Sequence, residues 1–188
     1  MTSHEILAEH AAGTLPSDAA LIGMIDAGID VAALVRRWQN GLDVPRLDRV
    51  VYLDGGSFEF SDHRPGEHHV GAMVYIVRNH VGDPVDLAAW SPPRPAALWC
   101  SRGAMLGAES LFAPRMSDEL PVFRHPLGWL RSVCRGVVVL DGTKAAPLLR
   151  RAEPLAAEDV AHGRELRKLL EARPPRILVP SSAGRLVA

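Results

Sequence analysis

The segment Val70-Gly-Ala-Met-Val-Tyr-Ile-Val77 constrains the fold more than any other part of the chain. Apolar residues fill both alternating sets, Val70, Ala72, Val74 and Ile76 on one side and Met73, Tyr75 and Val77 on the other. A strand that shows apolar side chains on both faces has to be covered on both, which places it inside a sheet with a layer above and a layer below. Asn79-His-Val-Gly-Asp83 supplies a turn, and residues 85–90 return as a second apolar strand. The prediction is an antiparallel hairpin at the centre of an α+β fold.

Other elements are read around that hairpin. Residues 49–53 and 57–60 form two strands about Asp54-Gly-Gly56, whose glycines tolerate positive φ. Ser91-Pro-Pro-Arg-Pro95 cannot sit inside a ladder, and residues 96–101 follow it as a further strand. Toward the N-terminus, residues 5–12 read as a short helix. Ser17 caps a second one carrying Leu21, Ile22, Ile25 and Ile29, and residues 30–39 form a third with Val31, Leu34, Val35 and Trp38 on one face. Toward the C-terminus, Pro126 opens a helix over 126–133. The apolar run Gly136-Val-Val-Val-Leu140 passes through Asp141-Gly-Thr143 into a helix over 144–151, a βα unit, with Asp141 or Thr143 as its cap. Residues 158–172 form a last helix, acidic at its start and basic at its end. Between residues 103 and 124 the pattern is irregular, with a short helix near 108–112. The expected organisation is a helical segment at 1–44, an α+β core with a mostly antiparallel central sheet at 45–175, and a tail at 176–188.

Bulk properties set limits on function. A chain of 188 residues buries one core. Basic and acidic residues number 21 and 22, so no global field draws in nucleic acid or an anionic membrane. The basic residues are almost all arginine, Lys144 and Lys168 being the exceptions, a bias that fits a GC-rich bacterial genome. Two cysteines argue against a disulfide scaffold, and no segment approaches the ~20 apolar residues that span a bilayer. A cytoplasmic protein without membrane contact or cofactor is expected.

Candidate chemistry is scattered. His63, His68 and His80 lie in loops with Asp83, and imidazoles with carboxylates are metal ligands; yet no pair has the helical i, i+4 spacing of a metalloprotease. Cys134 precedes Arg135 and follows His125 by nine residues, a conceivable thiol–imidazole pair; an apolar neighbourhood favours a packing role. Residues 19–38 have the outline of a helix-turn-helix, with Arg36 and Arg37 on the second helix, and equally that of a plain αα-corner. Arg150, Arg151, Arg164, Arg167 and Lys168 cluster near the C-terminal helices as a candidate phosphate-binding surface or an ordinary solvated face.

Residues 72–90, Ala-Met-Val-Tyr-Ile-Val-Arg-Asn-His-Val-Gly-Asp-Pro-Val-Asp-Leu-Ala-Ala-Trp, with Met105-Leu-Gly107 downstream, resemble a module that precedes the Toprim domain in phage and mobile-element primase proteins. The likeness covers two strands, a G-x-P-x turn and a later M-L-G. An active Toprim domain would bring a glutamate after one strand and a D-x-D pair after another; Asp141 stands alone here, and the cysteine zinc module of such primases is missing. No catalytic residue carries over. The resemblance implies a stand-alone relative of mobile-element replication proteins. The expectation is a non-catalytic accessory or binding protein with DNA or another protein as partner. The alternatives are an enzyme or metal-binding protein using the loops at 61–86, and a homo-oligomeric structural protein with tryptophans at its interfaces.

Overall fold

The computed structural model describes residues 2–61, 68–112, 119–152, 154–171, 179–180 and 186–187. The chain opens with α1 (Ser3–Ala12), held by a reciprocal cap in which the Thr2 hydroxyl accepts from Glu5 N–H and the Glu5 carboxylate accepts from Thr2 N–H. Ser17 caps α2 (Asp18–Asp26), and Asp30 caps α3 (Val31–Gln39). Next come β1 (Arg46–Tyr52), β2 (Phe58–Phe60), β3 (Val70–Arg78), β4 (Pro84–Trp90) and β5 (Ala97–Leu98). These form a five-stranded antiparallel sheet in the order β2-β1-β3-β4-β5, with β3 in the middle. The α+β class and the helices at both ends agree with the sequence.

Both faces of β3 are covered, as its double apolar pattern requires. Ala72 and Val74, with Leu87 and Ala89 of β4, pack against Ile6 of α1. Tyr75 and Val77, with Ala88 and Trp90, face the largest cluster, which also takes Leu34 of α3. All four tryptophans pack within the chain, Trp38, Trp90 and Trp129 in or against that cluster and Trp99 against the other one, edge-on to Phe60.

A second sheet follows: β6 (Met105–Leu106), β7 (Leu120–Phe123), β8 (Val137–Val139) and β9 (Leu155–Ala157), in the order β6-β8-β7-β9. Strand β7 runs parallel to β8 and β9, and β6 is antiparallel to β8. The helices α4 (Pro126–Arg131), α5 (Gly142–Leu149) and α6 (Val160–Glu171) connect or follow the parallel strands. Leu106, Val138 and α4 join the cluster shared with the first sheet, whereas Val122, Val137, α5 and α6 bury the opposite face. Helices α4 and α5 therefore cover opposite faces. A separate two-residue ladder joins β10 (Val179–Pro180) to β11 (Leu186–Val187).

The sequence reading found one βα unit here; the structure has three in succession. Strand β7 escaped notice because Pro121 sits inside it. Leu120 N–H donates to Pro154 of the β9 side, so the nitrogen of Pro121 turns toward β8, where pairing begins only at Val122. The missing donor falls where no ladder bond is due.

One buried carboxylate joins the two sheets. Asp86 of β4 is 0% exposed and accepts from four backbone N–H groups: Leu87 at 2.8 Å, Cys100 at 2.9 Å, Arg102 at 2.6 Å and Gly103 at 3.0 Å. Three of these belong to the segment that leaves β5 for β6. Gly103 has no room for a side chain: a Cβ there would lie 2.7 Å from Val77 Cγ1 and 3.0 Å from Leu98 Cδ2. From the other sheet, Lys144 Nζ donates to Ser101 O at 2.6 Å and to the Asp141 carboxylate. Replacing Asp86 by Ala leaves several buried N–H groups without acceptors at ~1–3 kcal/mol each, so a loss of about 3 kcal/mol or more is expected in urea unfolding. Asp86→Asn should also destabilise, because its amide NH₂ faces donors.

Candidate functional site

In an open sheet of parallel strands, ligands bind beyond the carboxyl ends where successive connections leave toward opposite faces. Here that place lies between β7 and β9. The chain leaves β7 through Arg124-His125 into α4, and leaves β9 through Glu158-Asp159 into α6.

Arg124 organises this crevice. Its Nη1 is 2.7 Å from Asp159 Oδ2, its Nε is 3.1 Å from Glu165 Oε2, and its backbone N–H donates to Glu158 Oε2 at 2.8 Å. The guanidinium holds the Asp159 carboxyl far below the usual carboxylate range, helped by the His162 N–H, and lowers that of Glu165 as well. His162 is 4% exposed. Its Nδ1 accepts from Glu158 N–H at 3.2 Å, and its backbone N–H donates to Asp159 Oδ1 at 2.7 Å. Burial, and then the charge of Arg124, push the imidazole below its ordinary pKa, so it is neutral near pH 7. Beside these groups opens a recess of about 280 Å³. Phe123, Val139, Leu166 and Leu169 give it apolar walls; Arg124, His125, His162 and Glu165 give it a polar rim.

At the end of β8, Asp141 caps α5, accepting from Thr143 and Lys144 N–H at 2.9 and 3.2 Å. The Lys144 ammonium is the leading reason its carboxyl titrates low. This agrees with a structural capping role and leaves no open anion cradle at that turn.

The basic residues divide into two groups. Arg150 and Arg151 lie at the end of α5, which packs against α6, the helix that carries Arg164, Arg167 and Lys168; all five are exposed. Arg150 Nε donates to Leu170 O at 2.9 Å, and the Arg151 guanidinium lies 5.4 Å from the Phe112 ring centre. Arg164, Arg167 and Lys168 make no ion pair among the described residues. Arg36 and Arg37 stand on α3, across the second sheet from α6, and the Arg37 guanidinium donates to Val133 O. The start of α3 offers Val31, Ala32 and Ala33, which bring no hydrogen-bonding side chain to a base edge, and Arg131 Nε ties the α2–α3 turn to α4 through Ala27 O at 2.8 Å.

The residues considered for a metal do not converge. His63 lies outside the described residues. His68 precedes β3 and His80 follows it, so a strand of nine residues, roughly 30 Å long, separates them. Asp83 faces the Asn79 amide at 3.2 Å within the β3–β4 turn, and His80 meets the Phe112 ring edge-on at 5.9 Å. Among the described residues no three His, Cys, Asp or Glu side chains form a metal-holding group. The thiol pair fails on geometry too. His125 is exposed at the start of α4, whereas Cys134 lies past its end, in the core, where burial pushes its pKa up to about 12.

The crevice residues Arg124, Glu158, Asp159, His162 and Glu165 were missed by sequence reasoning. Their signal was present: short apolar runs ending in Arg-His-Pro and in Glu-Asp, each followed by a helix, repeat the βα pattern of residues 136–151. No family model, curated protein or solved structure matches the chain.

Two outcomes follow from these environments. His162 and His10, which is also buried with Nε2 on Val74 O at 3.2 Å, are both held below the ordinary histidine value of 6.5. The unfolded chain then binds protons that the folded one refuses as pH falls through about 6.5, so stability is full above that pH and declines below it. Urea midpoints should drop between about pH 7.5 and 5, an interval that spans the histidine range, and His10→Gln or His162→Phe should flatten that slope. A thiol reagent at neutral pH should leave Cys134 unmodified in the folded protein and react with it after denaturation.

Proposed function

We propose that this chain is a non-catalytic binding or accessory protein that contacts nucleic-acid phosphates through the exposed basic face of α6. The observation that carries the reading is the set Arg164, Arg167 and Lys168, exposed and without ion pairs among the described residues, next to Arg150 and Arg151. Arg164 and Lys168 are four residues apart on one helix face, and Arg167 borders them, so their charges address one stretch of backbone. By contrast, the groups able to do chemistry at the switch crevice are bonded to one another, with Arg124 occupied by Asp159 and Glu165. The likeness of residues 72–90 and 105–107 to the module before the Toprim domain supports a setting in phage or plasmid DNA transactions. The chain's overall balance of charge makes such contact local and modest in affinity.

Counterion release gives the test. With three phosphate contacts, affinity for duplex DNA should weaken roughly 40-fold between about 50 and 200 mM salt. In a mobility-shift or anisotropy titration, the combined Arg164→Ala, Arg167→Ala and Lys168→Ala variant should bind far more weakly with a shallower salt dependence. Absence of binding by the unaltered protein at low salt would remove the nucleic-acid reading.

A further inference from the structure

We infer that the recess between the carboxyl ends of β7 and β8 and helix α6 binds a nucleobase-like heterocycle, one that presents a ring-nitrogen acceptor beside an exocyclic amino group. The inference stands on the geometry of the recess, which Arg164, Arg167 and Lys168 do not line, and does not rest on the phosphate contacts proposed for them.

His162 supplies the first requirement. Its ring is buried, yet it lines the recess. Because Nδ1 accepts the Glu158 N–H, the proton of the neutral ring sits on Nε2, on the side away from Glu158. The Glu158 carboxylate does not alter this: its Oε2 is 3.6 Å from Nδ1 and already accepts from Arg124 N–H. Nε2–H has no partner among the described residues. Among the described residues, the fully enclosed side-chain atoms without partners lie elsewhere, so solvent in the recess reaches Nε2–H, and a ligand acceptor takes the place of that water.

Glu165 supplies the second. It stands three residues on from His162, hence on the same side of α6, and lines the same recess. Arg124 holds its carboxylate at 3.1 and 3.4 Å and so fixes its direction, while a carboxylate with about four lone-pair sites keeps capacity for an amino donor. The pair thus offers one donor and one acceptor side by side, the complement of an edge bearing N and NH₂, such as adenine presents. The walls suit a flat body. Phe123 offers a ring to stack on, Val139, Leu166 and Leu169 close the remaining sides, and about 280 Å³ admits a single base. Charge selects against the obvious rival. Arg124, the one guanidinium at the rim among the described residues, is held by Asp159 and Glu165, with Glu158 on its backbone N–H, so a free anion finds no unpaired cation there.

The test compares adenine with purine, which keeps the ring nitrogens and lacks the amino group. Each is titrated into the full chain with the Val139, Leu166 and Leu169 methyl signals and the His162 ring nitrogens followed by NMR. Adenine should give saturable shifts and move the Nε2 resonance; purine should bind at least tenfold more weakly. His162→Phe keeps an aromatic ring without the donor and should weaken adenine at least tenfold. Glu165 is exposed, so Glu165→Gln should fold normally and narrow the difference between adenine and purine. The Arg164, Arg167 and Lys168 alanine variant should bind adenine as the unaltered protein does, which separates this site from the phosphate contacts. No saturable shift, equal binding of adenine and purine, or unchanged adenine binding in a folded His162→Phe variant would each overturn the inference.

Discussion

The carboxylate of Asp86 collects four backbone N–H groups at the point where the chain passes from one sheet to the other, and the rest of the architecture is arranged about that junction. An acidic side chain in the core is tolerable only when its oxygens are fully hydrogen-bonded. Here the bonds come from a tight turn that has no regular partner of its own, so carboxylate and turn each meet the other's need. The left-handed φ of 53° at Ser101 and the lack of space at Gly103 bring the amides onto one acceptor. Lys144 then ties the same turn to the start of α5. The register of the second sheet against the first depends on this chain of polar contacts within an otherwise apolar interior.

A second polar network, around Arg124, occupies the place where α/β sheets hold ligands. Its members come from two strand ends and one helix, and nearly every hydrogen-bonding group in it is matched by another. Asp159 caps the first turn of α6 through His162 N–H and also receives the guanidinium. The network therefore stiffens the crevice, and the Nε2 of His162, at the wall of the recess, is the hydrogen-bonding atom left over. Glu158 and Asp159, just ahead of α6, belong to this network and suit the positive end of the helix dipole, whereas Arg164, Arg167 and Lys168 along the helix face solvent.

Much of the first sheet could be read directly. Val70, Ala72, Val74 and Ile76 opposite Met73, Tyr75 and Val77 is a period-two pattern with both sets apolar, and the two sets do fall in different clusters. The caps at Ser17 and Asp141 were also legible, because a short polar side chain before an apolar run has few other local roles, whereas Asp30, read as the first residue of its helix, proved to be its cap. The second sheet was hidden for a physical reason. Strands β6, β7 and β9 are two to four residues long, too short for a period to show, and β7 contains a proline that only its particular pairing makes harmless. The crevice went with them, since its residues are defined by the ends of strands that had not been recognised.

The sequence by itself determined what had to be buried and where helices begin, because those depend on apolar spacing and on contacts within a few residues. Tertiary structure alone decided that Arg124 meets Asp159 and Glu165 across 35 and 41 positions, and that His68 and His80 part to opposite ends of one strand. Such encounters follow from strand order and crossover direction. No local pattern encodes those, since the free energy that fixes them comes from closing long loops around a shared core.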